Sequence, residues 1–366
     1  MKERFIMQAT LTTPVITSSK VNWTQVGAFL GLTFGLTWLL DLALYLIGGL
    51  TAPAASLFLQ FQMLLPAFSA MFLGAFFFKD SPIYHRTNRT VSRWFVYFYL
   101  FFTFCYLVAL IVGQVVPQQT AIISSLLLPL SLVGLILLVV LRVKGGRDAF
   151  ASTGLAGGNW KVWLGYGVVL VAFQGLQTLL NYVFKLGQVV DLKTALPQLA
   201  ASPIPEAALL PILAIQTVIV GPFLGLIISF GEEYGWRGYL QTELIRLGRV
   251  RGIFLLGVIW GVWHWPVIWM GYNYPGQPVL GSLAMTVVCI ILAYVLGYVV
   301  LKSKGVWSAA YLHALSNQSL SFFMLMIYMP TNLILSFGIG LPGLVLGALV
   351  VLLILRDPIW KEQPAT

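Results

Sequence analysis

The chain of 366 residues is 59% hydrophobic and only 9% charged, with a mean hydropathy of +0.90. Soluble domains carry roughly 25% charged residues, so water is excluded as its main solvent. The formal charge of +10, from 21 Lys and Arg against 11 Asp and Glu, is spread over alternate loops and forms no patch interleaved with base-stacking aromatics, which excludes nucleic acid and makes the lipid bilayer the first partner.

A helix of about 20 apolar residues spans the hydrocarbon core, and such runs recur along the chain. Residues 1–25 are polar and mixed. The apolar run that follows, Val26 to Leu50, is too long for the core of a cleaved signal peptide and is expected to stay as a signal-anchor helix. Further runs are Pro53 to Phe78, Trp94 to Val116, Ala121 to Leu141 and Val162 to Phe184. After a loop at Leu186 to Glu206 come Ala207 to Phe230, Gly252 to Met270, Leu283 to Leu301, Val306 to Tyr328 and Leu333 to Leu355. The expected fold is all-α, a polytopic transmembrane helical bundle of about ten spans. Cys105 and Cys289 lie inside apolar runs without CxxC spacing, so neither a disulfide framework nor a cysteine zinc site is implied.

Loop charge orients the spans. Lys79, Arg86, Arg89 and Arg93 follow the second run; Arg142, Lys144, Arg147 and Lys161 follow the fourth; Arg246, Arg249 and Arg251 follow the sixth; Lys302 and Lys304 follow the eighth. Most of the intervening loops have no Lys or Arg, and the one at Lys185 to Glu206 offsets its two Lys with Asp191 and Glu206. By the positive-inside rule both termini are cytoplasmic.

The run from Ala207 continues as helix-like sequence to Arg251. As one straight helix, 41 residues of it would reach about 60 Å, twice the hydrocarbon thickness. A break is therefore expected near Gly221 and Pro222. If Arg246 to Gly252 is the turn of a helical hairpin centred at Gly248, Glu232 and His264 each stand sixteen positions from it (248 − 232 and 264 − 248). Equal arms put both residues at one depth, about 15 to 20 Å from the basic loop.

Acidic and basic side chains inside a span are costly, and their default reading is functional. Glu233 and Arg237 are four apart in the favourable order on one helix face, whereas Glu232 is rotated by about 100°. Arg237 thus neutralises Glu233 and leaves Glu232 free for chemistry. His313, nine residues after Lys304, reaches the same layer, with Asn317 one turn on. His85, in a basic loop, looks incidental. A carboxylate and an imidazole activate a water, while a second imidazole and an amide receive the oxyanion of an attacked carbonyl. Glycines 231, 235 and 238 would let helices approach closely. Trp236, Trp260, Trp263, Trp265 and Trp269 would either wall the site or anchor it at the interface.

Three motifs, Glu232-Glu233-x-x-x-Arg237, Trp260-x-x-x-His264 and His313-x-x-x-Asn317, resemble in order and spacing those of the CPBP family of intramembrane endopeptidases, the CAAX prenyl protease and bacteriocin-processing (Abi) proteins. The resemblance covers roughly Pro222 to Tyr328. It departs at Trp260, where the family has phenylalanine, and an aromatic there implies adjusted packing with the chemistry kept. It implies a catalytic membrane core over 211–330, preceded by N-terminal helices of unassigned role over 26–210 and followed by a last helix and cytoplasmic tail over 331–366. It further implies catalytic Glu232, His264, His313 and Asn317, supported by Glu233, Arg237 and Trp260. The implied substrate is a membrane-associated peptide, lipidated or not, and the implied location is the prokaryotic plasma membrane. Family members are described both as metal-free glutamate proteases and as metalloproteases. HExxH is lacking here, and the reading without a cofactor is favoured over zinc on His264, His313 and Glu232.

The alternative is an ion- or proton-coupled transporter, or a non-catalytic scaffold, with Asp41, Gln60, Gln62, Gln174, Gln177 and Asn181 as a polar pathway. The oligomeric state is left open.

Overall fold

The computed structural model describes residues 20–81, 83–84, 90–151, 153–196, 199 and 203–362. His85, Arg86, Arg89, residues 1–19 of the N-terminal segment and residues 363–366 of the tail lie outside them. The first half is built from α1 (Trp23–Leu46), α2 (Ala55–Phe76), α3 (Arg93–Val115), α4 (Thr120–Ala151) and α5 (Trp160–Val183). Asn22 and Asn159 start α1 and α5 by accepting the backbone N–H of Gln25 and Lys161. The segment read as a plain loop before residue 206 contains strand β1 (Gly187–Val189) and one turn of helix, α6 (Leu192–Ala195). Strand β1 pairs antiparallel with β2 (Tyr328–Pro330).

The second half begins with α7 (Glu206–Ala214), a π-helical stretch (Ile215–Val220) and α8 (Gly221–Leu224). After Gly225 the chain resumes as α9 (Leu226–Glu233), a second π-helix (Tyr234–Leu240) and α10 (Gln241–Leu244). The two limbs, Ala208–Leu224 and Leu226–Leu247, are bent by 54°. The expected break thus exists but falls at Gly225. Pro222 lies inside the continuous limb Ala208–Leu224, before the bend. Then follow α11 (Arg249–Trp263), α12 (Trp265–Trp269), α13 (Pro278–Ser303), α14 (Val306–Phe322) and α15 (Leu341–Ile354).

The fold is a helical membrane bundle. Six helices, α1 to α5 and α13, are long and apolar enough to span alone, and the bent limbs make a seventh span if counted as one. That is fewer than the ten expected, and the missing three are interrupted passes. The α11 pass is broken at His264 before Pro266, α14 widens into a π-turn over Phe323–Ile327, and α15 has only 14 residues after the irregular stretch 331–340. Outward-facing apolar side chains such as Leu46, Val115 and Val143, 73 to 80% exposed, suit lipid and would be untenable in water at this density.

Polar contacts join the basic loops into one end of the bundle. The guanidinium of Arg246 reaches the carbonyl of Lys20 at 2.9 Å, and the Gln25 amide donates to Asp80 at 3.3 Å. Ser92 donates to the carbonyl of Ala149 at 2.9 Å, and the Asn159 N–H to that of Ser303 at 2.9 Å. Lys302 pairs with Asp357 at 2.6 Å, and Arg249 binds the carbonyl of Ile359. Loops assigned to one side by charge alone are therefore neighbours in space.

Helix α2 is the centre of the bundle, with 67% of its span buried. Two of the three glycines seat it. A Cβ on Gly231 would overlap the carbonyl of Met63, and one on Gly235 the backbone of Pro66. Gly238 meets only Tyr234 on its own helix, so it closes no helix pair. Gly235→Ala is expected to cost about 1–3 kcal/mol by overpacking, measured by thermal unfolding of the purified protein in detergent. Gly27→Ala on the open face of α1, with nothing within 4 Å of the added methyl, is expected to be neutral or slightly stabilising.

Candidate active site

Gly248, at φ +100°, makes the turn between α10 and α11 and sends the chain back along itself. The two arms bring the carboxylate and histidine motifs to the wall of one cavity. The direct partner of Glu232 is nonetheless Trp260, one turn before His264: the indole Nε1–H donates to Glu232 Oε2 at 2.8 Å. The same residue's carbonyl takes the Nδ1–H of His264, also at 2.8 Å. Because a carbonyl only accepts, Nδ1 carries the proton and the neutral ring keeps its lone pair on Nε2. One residue thus fixes both groups, the carboxylate with its side chain and the imidazole with its backbone. The family's phenylalanine could not donate, so exchanging it for tryptophan alters the chemistry of the layer as well as its packing.

Glu233 faces away from the cavity and is fully buried. Its Oε1 accepts from Arg237 Nη1 at 2.9 Å and from His313 Nδ1 at 2.7 Å. The guanidinium of Arg237 lies over the Trp260 ring, 4.1 Å from its centroid, a cation–π contact strengthened by desolvation. Arg237 sits in the π-helical stretch, a wide turn that recurs at functional sites. His313 spends Nδ1 on Glu233 and lines the cavity beside Asn317, whose amide has no partner among the described residues.

The cavity holds about 400 Å³, and Glu232, His264, His313 and Asn317 all reach it. Trp260 and Trp263 wall it, Trp236 packs behind them against Phe29 and Trp263, and Trp265 and Trp269 turn outward. The wall is not confined to 211–330. Gln60 and Gln62 of α2, Gln174 and Gln177 of α5 and Leu344 of α15 also line it. Sequence reasoning left Cys289 aside, yet α13 puts its sulfur 3.7 Å from His264 Nδ1; a lone cysteine in an apolar run gives no signal of that position. The polar residues of α5 each have local partners. Gln174 binds Ser316 and Ser319, Gln177 accepts the N–H of Gly338, and Asn181 binds both backbone groups of Phe337. They tie α5 to α14 and to the stretch before α15.

Among the described residues no group of three or more His, Cys, Asp or Glu side chains is placed to hold a metal ion together.

Residues 214–319 match the model of the Rce1-like family, described as type II CAAX prenyl endopeptidase Rce1-like. This segment is similar to that family, and Glu232 to Arg237, Trp260 to His264 and His313 to Asn317 all lie inside the matched span. The CAAX prenyl protease 2 of Methanococcus maripaludis (strain S2 / LL) is 38% identical over 53 residues, which are 14% of this chain and 20% of that protein. The chain thus aligns with about a fifth of that relative's length. No solved structure matches.

Removing one member of the buried ion cluster strands the others. Arg237→Met is expected to destabilise the protein by about 3–5 kcal/mol, and adding Glu233→Gln should restore most of that loss. Thermal unfolding of the single and double variants measures both effects.

Proposed function

We propose that the protein is an intramembrane endopeptidase that hydrolyses a peptide bond in a membrane-associated peptide or protein with a water activated by Glu232 and His264. The observation that carries this reading is the pinning of both groups by Trp260 at the wall of one cavity, within a bundle whose outer surface is apolar. With Nδ1 of His264 donating to a carbonyl, its Nε2 lone pair is free to orient a water. Glu232 takes a proton from that water as its oxygen attacks the carbonyl carbon. Asn317 Nδ2–H and His313 receive the oxyanion. Since Nδ1 of His313 is held by Glu233, the ring donates from Nε2 when doubly protonated, a form that the Glu233 carboxylate stabilises. Collapse of the tetrahedral intermediate breaks the C–N bond, and the proton held by Glu232 passes to the leaving amine.

The matched family and the Methanococcus maripaludis relative, a CAAX prenyl protease 2, support peptide hydrolysis at a lipid-anchored terminus. The apolar stretch of the cavity formed by Val288, Ile291, Leu292 and Leu344 suits an apolar anchor, prenyl or otherwise. The plasma membrane of a prokaryotic cell is the location this reading implies. For the transporter alternative, Gln174, Gln177 and Asn181 of α5 are each tied by a hydrogen bond to α14 or to residues 337–338.

Glu232→Gln is expected to abolish cleavage of membrane-anchored peptides in proteoliposomes while leaving the protein folded. Retained cleavage would sink the proposal, and ion-coupled uptake into the same vesicles without hydrolysis would favour a transporter. Asn317→Ala should lower kcat by about 10²–10³-fold if it serves the oxyanion. Trp260→Phe, which keeps the ring over Arg237 but removes the N–H, should lower kcat/KM by about tenfold. Full activity in chelator, with no stoichiometric zinc in the purified protein, is expected from the metal-free mechanism.

A further inference from the structure

Helices α1 and α2 lie outside the family-matched segment, yet α2 carries Gln62 into the cavity wall beside the catalytic layer. Gln62 is 4% exposed, and its Nε2 donates to Oδ1 of Asp41, itself 2% exposed on α1. The other oxygen of Asp41 is buried with no partner among the described residues. One turn before Asp41, Thr37 accepts the indole N–H of Trp263 at 3.0 Å, so α1 is tied at this level to the helix that carries Trp260.

An amide side chain has one acceptor end and one donor end, and whichever is engaged elsewhere decides which faces the cavity. Four glutamines line this cavity. Gln60 uses its oxygen on the Tyr106 hydroxyl at 2.6 Å, and Gln177 uses its oxygen on the Gly338 N–H at 2.7 Å, so both leave donors free. Gln174 is engaged at both ends. Gln62 alone of the four bonds only through its amide nitrogen, to Asp41, while its oxygen has no partner among the described residues.

We propose that Gln62, turned by Asp41, accepts a backbone N–H of the bound peptide and so fixes its register against Glu232. This inference rests on the peptidase reading above. Peptide carbonyls entering the cavity meet donors in abundance, from Asn317, Gln60 and Gln177. Peptide N–H groups need acceptors as well, and one left unsatisfied in an apolar bundle is strongly disfavoured. Asp41 acts through Gln62 and is a positioning residue. Asparagine at 41 keeps nearly the same shape but can donate to the glutamine oxygen, which frees Nε2 for the cavity and reverses the polarity presented to the peptide.

The test uses the full-length protein in proteoliposomes and the peptide it cleaves best from a pool of membrane-anchored, fluorescence-quenched peptides. Each amide other than the scissile one is replaced in turn by an ester, which removes the N–H and keeps the carbonyl. One ester position is expected to raise KM about tenfold with little change in kcat, the mark of a binding interaction made equally in ground and transition states. Gln62→Met and Asp41→Asn should each cause a similar rise with the parent peptide and lose nothing more from the ester at that position. The ester series on the unaltered protein does not depend on either variant folding. If no position is sensitive, or if the variants remain as sensitive as the parent, the inference is overturned while the peptidase reading stands. Cleavage no faster than that of Glu232→Gln for every peptide in the pool would overturn the peptidase reading, and this inference with it.

Discussion

Two side chains, Arg237 and His313, converge on one carboxylate oxygen of Glu233 in the middle of an apolar bundle. Ions placed there are stable only when each is matched, because desolvation costs several kcal/mol per charge and no water lies at hand to offset it. The match fixes geometry. Arg237 can reach Glu233 and also lie over Trp260 only if the π-turn of one hairpin arm packs on the opposite arm, and His313 can join only if α14 stands against both. The ion cluster is thus a three-helix registration point, and Glu232, the neighbour left out of it, is turned toward the cavity as a consequence.

Trp260 translates that registration into chemistry. Its ring supports the cation, its N–H holds the carboxylate that faces the cavity, and its carbonyl sets the tautomer of His264. Phenylalanine could perform the first and third of these tasks. The second needs an indole, which raises the number of atoms committed to Glu232 without adding a charge.

Much of this was legible in the sequence because it rests on spacing. The i,i+4 relation of Glu233 to Arg237 and the equal arms around Gly248 are local arithmetic, and hydrogen-bonded helices obey it closely enough to survive a π-turn. Hydropathy gave the bundle, and loop charge gave the common end that Arg246, Lys302 and Asp357 now occupy. What failed was finer. The bend came at Gly225, four residues past Gly221, and Pro222 stays inside the limb Ala208–Leu224. Ten apolar runs did not make ten full-length helices, since composition cannot reveal a break at a histidine or a π-turn.

The partners of isolated polar residues were the least legible. Nothing in the periodicity of α1 or α2 pairs Asp41 with Gln62, and nothing in α5 pairs Gln177 with Gly338; these are tertiary facts between residues 21 and 161 positions apart. Yet they settle how the two halves of the chain divide their work. The matched segment supplies Glu232, His264, His313 and Asn317, while α1, α2, α5 and α15 close the cavity around them. Under the proposed peptidase function, a peptide entering such a space would have to replace the hydrogen bonds that water gave its backbone, so the orientation of the cavity amides would bear on which bond reaches Glu232. On that reading the helices with no family motif would set selectivity among substrates, and the motif-bearing segment would set rate.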